Sequence, residues 1–472
     1  MLRTNTNSLK ISLRSIQKCL LNRRFMATQT STTIVKPEIT NLSNGVTVAT
    51  EHDPSAKTSS VGLVFDSGST SENPYNNGVS NFWSHIFKQH INKNSKTLSE
   101  GLQLNSKISK DYQSYIIDSL PNKVSNSLDF LQENFINLHI DDSMANSFHT
   151  IQKDVINELQ TFESKDHPER VMEHLYSTAF QNTPLSLPTR GTIESIKNLE
   201  LQDLQAFAKD NFRSANAMIV GTGNIPHEQL VEQVESKINL LSGSKLSNNK
   251  KQVKSTFLGS EVRLRDDTLP KAWISIAVEG EPLNSPNYYT AKVASEIFGS
   301  YNAFEPRSRL QGIKLLDNLQ EYHLCDSFNH FSLSNKDSGL WGFSTITSNV
   351  NAIDDLIHFT LKQWNRLTIS ITSTELERGK SLLKLKLAKQ LNPLNTSNME
   401  KANILAKDIF AMGRKPTLDE IFTKIDSITV KDIKAWAGEK VWDQDIAIAG
   451  TGQIEGLLDY MRIRNDMSMM RW

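Results

Sequence analysis

An α+β fold made of two homologous halves is what this sequence predicts, and three observations carry the expectation. Residues 196–225 and 425–454 align without a gap at an offset of 229. Ile196, Asp203, Ala206, Ala208, Ile219, Gly221, Thr222, Gly223 and Ile225 recur as Ile425, Asp432, Ala435, Ala437, Ile448, Gly450, Thr451, Gly452 and Ile454. Each half also opens alike: residues 61–65 read as a strand followed by a helix from about Val79, and residues 274–278 as a strand followed by a helix from about Asn287. Between the halves, a polar and charged stretch with few large apolar groups cannot bury a core and reads as a linker. The expected organisation is a leader over 1–26, an N-terminal half over 27–240, a linker over 241–258 and a C-terminal half over 259–472. A chain of 472 residues is too long for one ordinary core.

The leader is basic and carries no acid. Arg3, Lys10, Arg14, Lys18, Arg23 and Arg24 precede the first acid, Glu38. At about 100° per residue, Leu9, Leu13, Ile16 and Leu20 form an apolar stripe apart from Lys10, Arg14 and Lys18. Such a segment reads as a mitochondrial transit peptide, with a mature start near Met26; a disordered basic tail is the alternative. Removing those six basic residues leaves 46 against 52 acids, a mature charge of −6. That balance excludes a nucleic-acid role, which needs a basic face. No apolar run reaches the roughly 20 residues of a membrane span. Cys19 and Cys325 are the only cysteines, so neither a disulfide framework nor a Cys-based metal site is expected.

Along the N-terminal half, Asn44-Gly45 marks a hairpin turn, since glycine readily supplies positive φ. Leu128, Leu131 and Phe135, then Ile151, Val155 and Leu159, form helical stripes. In the C-terminal half, a helix is expected from an N-cap at Thr374, with Glu377 three later, through Leu387. Gly221-Thr222-Gly223 and Gly450-Thr451-Gly452 lack the Lys-Ser/Thr of a phosphate loop and read as strand ends. His323 and His330 flank Cys325 at a spacing that fits no metal pattern, and are expected at strand edges.

One segment bears on chemistry. Residues 77–85 sit where a zinc peptidase of the inverted His-x-x-Glu-His class carries two His ligands and a Glu base on one helix face. Here Asn81 stands at the first His, Ser84 at the Glu, and His85 at the second His. An amide is a poor neutral ligand and a hydroxyl is no base at neutral pH. Glu158 matches the distal glutamate of the metal shell. Asn81 and Ser84 are therefore degenerate catalytic positions, and His85 and Glu158 vestigial metal positions: an ordinary helix histidine and a solvated or paired glutamate. No catalytic residue, metal or cofactor is expected.

Asn44-Gly45-Val46, Asp66-Ser67-Gly68-Ser69, the degenerate helix ending at His85, and Leu104-Asn105 follow in the order of the mitochondrial processing peptidase family, which this chain resembles. Residues 177–185 and 336–342 look like signatures of the same family. Longer stretches, 73–80, 298–306 and 461–472, are similar to the core proteins that this family contributes to the fungal cytochrome bc1 complex. The resemblance implies two α+β halves enclosing a cavity. It implies a scaffold role in ubiquinol–cytochrome c reductase on the matrix side of the mitochondrial inner membrane. The implied partners are core protein 2, cytochrome b, cytochrome c1 and the Rieske subunit, in a dimeric complex. A zinc-dependent processing peptidase subunit and a presequence-binding protein are the alternatives. The chain departs from the active peptidase at Asn81 and Ser84, and it lacks a glycine-rich loop after Gly299.

Overall fold

Two six-stranded sheets organise the described residues, each built from one half of the sequence. The computed structural model describes residues 36–93, 101–133, 145–238, 253–306, 311–391 and 396–468. The leader expected over 1–26, residues 241–252 of the expected linker, Phe135 and the last four residues of the 461–472 stretch lie outside them.

The first sheet holds β1 (Glu38–Asn41), β2 (Thr47–His52), β3 (Ser59–Phe65), β4 (Gln103–Ile108), β5 (Gln113–Ser119) and β6 (Ala217–Gly223), in the order β1-β2-β6-β3-β5-β4. Helix α1 (Val79–Lys93) joins β3 to β4. Helices α2 (Val124–Leu131), α3 (Ala145–Lys165), α4 (His167–Ala179), α5 (Ile193–Asn198) and α6 (Leu201–Asn211) lie between β5 and β6, and α7 (His227–Lys237) follows.

The second sheet repeats this plan. It holds β7 (Ser260–Arg265) and β8 (Ala272–Gly280), then α8 (Tyr288–Phe298), β9 (Ser300–Asn302), α9 (Lys314–Glu321), β10 (Ser327–Ser334) and β11 (Gly339–Thr347). Helices α10 (Ile353–Ile369), α11 (Ser373–Gln390), α12 (Asn398–Met412), α13 (Leu418–Ser427) and α14 (Val430–Lys440) lead to β12 (Ala447–Gly452), and α15 (Tyr460–Asp466) closes the described chain. Its order is β7-β12-β8-β11-β10-β9; the five strands from β7 to β10 match the first sheet from β2 to β4, and β9 is an added edge strand. The β2/β6 and β7/β12 pairs are both parallel, and the pairs that follow them are antiparallel. The internal repeat therefore maps onto one structural unit, from α5-α6-β6 to α13-α14-β12.

The central strands are buried on both faces, so they read as continuous apolar runs rather than alternating ones. In β3, Val61, Leu63 and Phe65 face the helices of their own half, while Val64 faces the other way. What covers that second face comes from the opposite half. Ala402, Leu405, Ala406 and Ile409 of α12 pack on Ala49, Val64, Ile116, Met218 and Val220 of the first sheet. In return, Val171, Leu175, Tyr176 and Ala179 of α4 pack on Trp273, Ala277, Leu340 and Ala449 of the second. Helices α4 and α12 hold equivalent places in the repeat, so the two halves exchange the same helix. Hydrogen bonds reinforce the exchange: Thr222 Oγ1 donates to the Asn398 carbonyl at 2.7 Å, and Ser114 Oγ to Asn403 Oδ1 at 2.7 Å. Lys415 pairs with Glu51 at 2.7 Å.

Several local expectations hold. Gly45 has φ +91° in the β1–β2 hairpin. Gly223 and Gly452 end β6 and β12 at φ +94° and +87°, and a Cβ at either would lie within 2.3 Å of a backbone oxygen. Leu128, Leu131, Ile151, Val155 and Leu159 are buried in the first core. Three expectations fail. Helix α11 is capped by Thr372 with Glu375, two residues earlier than the Thr374–Glu377 pair of the same spacing; the Glu375 carboxylate also receives Arg366. His330 is not a strand-edge residue, because the short β9 covers β10. It lies in the core at 3.0 Å from the donating Trp364 Nε1, beside Trp341, and burial holds its basicity well below the ordinary value. His323 sits in an exposed turn after α9 at φ +48°. Ile463 and Met467 are buried in the second core, so the 461–468 part of the tail belongs to the fold.

Candidate functional site

The site is built around the start of α1. No acidic residue lies in the first turn of this helix. Its free amides are met instead by the buried carboxylate of Glu72. Oε2 accepts from Gly78 N at 2.7 Å and from Asn77 Nδ2 at 2.8 Å, and Oε1 accepts from Ser80 N at 2.8 Å. A carboxylate there also complements the positive end of the helix. Burial pushes the Glu72 carboxyl up to about 7, against these three donors, which favour the charged form. Gly78, at φ +94°, lets the chain before α5 cross closely: a Cβ on Gly191 would stand 2.7 Å from Gly78 Cα. The same crossing brings Arg190 to the helix.

On the next turns, Asn81 Nδ2 donates to the Arg190 carbonyl at 3.2 Å. Ser84 is buried, and its hydroxyl pairs with Ser106 Oγ of β4 at 2.6 Å. His85 Nε2 stands 3.3 Å from Glu158 Oε2 of α3. Burial lowers the His85 basicity, and Lys88 adds to this; Glu158 and Asp154 act the other way. The fold thus brings all four sequence-predicted positions to one place, and it joins His85 to Glu158 directly.

Arg190 and its neighbours were not legible from the motif. The guanidinium Nη1 lies 3.5 Å from Glu158 Oε1, Nη2 lies 3.2 Å from Glu169 Oε2, and Cζ stacks 4.4 Å above the Phe162 ring. A shallow pocket of about 440 Å³ opens there, lined by Glu158, Thr161, Phe162, Lys165, Asp166 and Arg190 among others. An arginine before a Gly-Thr pair carries no sequence signal of this contact. Glu72 did leave one, an acid a few residues ahead of a helix whose first turn has none. Among the described residues, no group of three or more His, Cys, Asp or Glu side chains is gathered as a metal shell would need.

Comparison with known proteins gives this geometry its context. Residues 47–193 match the family model described as Insulinase (Peptidase family M16), and residues 198–383 match the Peptidase M16 inactive domain. The chain is 63% identical over 454 residues to cytochrome b-c1 complex subunit 1, mitochondrial, of Saccharomyces cerevisiae, covering 95% of this chain and 97% of that protein. It is 35% identical over 455 residues to the mitochondrial-processing peptidase subunit beta of Neurospora crassa, covering 94% of each. A chain in the solved structure of complex III2 from Candida albicans, with Inz-5 bound, superposes with a TM-score of 0.81 at 38% identity, over 92% of this chain and all of that one. With a two-sheet fold, a helix of the inverted peptidase type and relatives matched over nearly its whole length, this chain belongs to the M16 peptidase family, in the branch that includes subunit 1 of the cytochrome b-c1 complex.

Proposed function

We propose that this chain is a noncatalytic core subunit of mitochondrial ubiquinol–cytochrome c reductase, complex III, needed for assembly and stability of the complex. The observation that carries this reading is the likeness to cytochrome b-c1 complex subunit 1, which runs over nearly the whole of both chains. The site supports the noncatalytic part. Catalytic zinc takes three protein ligands and a water, and a nearby carboxylate takes the proton of that water. Here the residues do not fit the metal. Asn81 turns an N–H donor, not a lone pair, to its neighbour, and Ser84 spends its hydroxyl on Ser106. One imidazole and one carboxylate remain, and those two are paired with each other. In this reading the site supports no hydrolytic step.

Among the described residues, no helix is long and apolar enough to cross a membrane. In this reading the chain is peripheral, on the matrix side of the inner membrane. It packs with core protein 2 and sits beneath cytochrome b, cytochrome c1 and the Rieske subunit in a dimeric assembly. A native gel of detergent-solubilised mitochondria tests it. The chain is expected to migrate with cytochrome b in one large complex, and its deletion is expected to deplete that complex. Migration apart from cytochrome b, with cytochrome b levels unchanged on deletion, would overturn the assignment.

A further inference from the structure

The degenerate motif accounts for two departures from a zinc site, at Asn81 and Ser84. The structure holds a third that no motif displays. Arg190 engages both remnants of the site at once. Its backbone carbonyl receives the Asn81 amide, and its guanidinium lies against the Glu158 carboxylate, whose other oxygen faces His85. Three groups hold the guanidinium: Glu158, Glu169 and the Phe162 ring.

We propose that Arg190 is an independent barrier to metal binding, supplying to Glu158 the positive charge that a divalent ion would otherwise supply. The cause is electrostatic. A metal ion bridging His85 Nε2 and Glu158 Oε2 would share one carboxylate with a permanent cation already 3.5 Å from the other oxygen. Like charges a few ångströms apart repel, and a carboxylate already paired to arginine is a weaker donor. Arginine cannot relieve this by losing its proton. Restoring imidazole at 81 and carboxylate at 84 rebuilds the ligand set but leaves the cation in place. This inference rests on the noncatalytic reading above, yet it can fail separately from it.

The test compares zinc affinity in purified complex III carrying the substituted chain, by competition against a chromophoric chelator. The variants are Asn81→His/Ser84→Glu, and the same pair with Arg190→Gln or Arg190→Lys. The Arg190→Gln triple variant is expected to bind one zinc per chain about tenfold more tightly than the double variant, the scale of a partly screened charge interaction. The Arg190→Lys triple variant, which keeps the charge, is expected to stay with the double. Equal affinity of the double and the Arg190→Gln triple overturns the proposal, as does a lysine variant that binds like the glutamine one. Absence of zinc from every variant overturns it too, because the remaining barrier then lies elsewhere. Stoichiometric zinc and peptide cleavage in the unsubstituted complex would instead refute the noncatalytic reading, whatever the variants do.

Discussion

The first helix of each half, α1 and α8, makes the most instructive comparison in the molecule. Both follow a central strand, and both are preceded by a buried glutamate seven residues before the first helical residue, Glu72 and Glu281. Counted from Val79 and Tyr288, positions 81, 84 and 85 correspond to Thr290, Val293 and Ala294. In α8 those three are buried, and Val293 and Ala294 belong to the second core. Helix α11 closes over them, using Gly379 for the approach: a Cβ there would meet Ile297 Cγ1 at 2.8 Å and the Val293 carbonyl at 3.3 Å. In α1 the same positions are polar, and α3 faces them with Glu158. One scaffold therefore carries a filled core in one half and a hydrogen-bonded polar cluster in the other. The difference lies in side chains on a single helix face. It teaches that this fold accommodates polar groups on that helix face where they find partners nearby, which keeps their cost small.

The largest effect should come from forcing the two helices to exchange character. Val293→Glu would bury a carboxylate with no partner, costing about 3–5 kcal/mol. Ser84→Glu, placed beside Ser106 in a polar surround, should cost under about 2 kcal/mol. Thermal midpoints and subunit levels in mitochondria measure both, and equal losses would break the comparison.

A smaller effect is expected at the helix start. Glu72→Gln gives up one oxygen acceptor and should cost about 1–3 kcal/mol. It should also flatten a pH dependence. The folded-state value of Glu72 is raised to about 7 from 4.5, so its contribution is fully present below 4.5 and is lost as pH rises through about 7. Denaturant midpoints at pH 5 and pH 7.5 should move apart less in the variant than in the unsubstituted chain.

The smallest effect belongs to His85→Ala, expected to cost below about 1 kcal/mol and to leave respiratory growth intact, since its pairing partner is half exposed. Burial depresses its basicity, so the stability it contributes is present above 6.5 and is lost as pH falls through the folded-state value. Alanine should remove that acid-side loss. A severe respiratory defect at normal subunit levels would mean that the remnant is functional.

Much of this architecture is legible in the amino-acid sequence. The repeat implies two like units because its identities fall on a helix, a strand and a strand-ending turn that recur together. The apolar stripes mark buried helix faces. The exchange of α4 and α12 is not legible, because periodicity says which face of a helix is apolar and not which sheet it covers. His330 escapes for a related reason. It alternates inward with Phe328, but the rings that bury it, Phe298, Trp341 and Trp364, come from three other elements, which periodicity within β10 does not reveal. The Thr372 cap competes with a second Thr-x-x-Glu two residues on; Glu375 turns back to the Thr372 amide and Arg366, while Glu377 pairs with Lys380. At the site, sequence places Asn81, Ser84, His85 and Glu158, while Arg190 reaches them through a chain crossing that only Gly78 and Gly191 permit.

In the proposed role this peptidase-shaped chain holds a complex together and cuts nothing. Metal analysis of the purified complex, run beside a presequence-peptide cleavage assay with and without chelator, addresses it most directly. The expected result is no zinc attributable to this chain and no chelator-sensitive cleavage. One firmly bound zinc per chain, with cleavage that chelation abolishes, would contradict it.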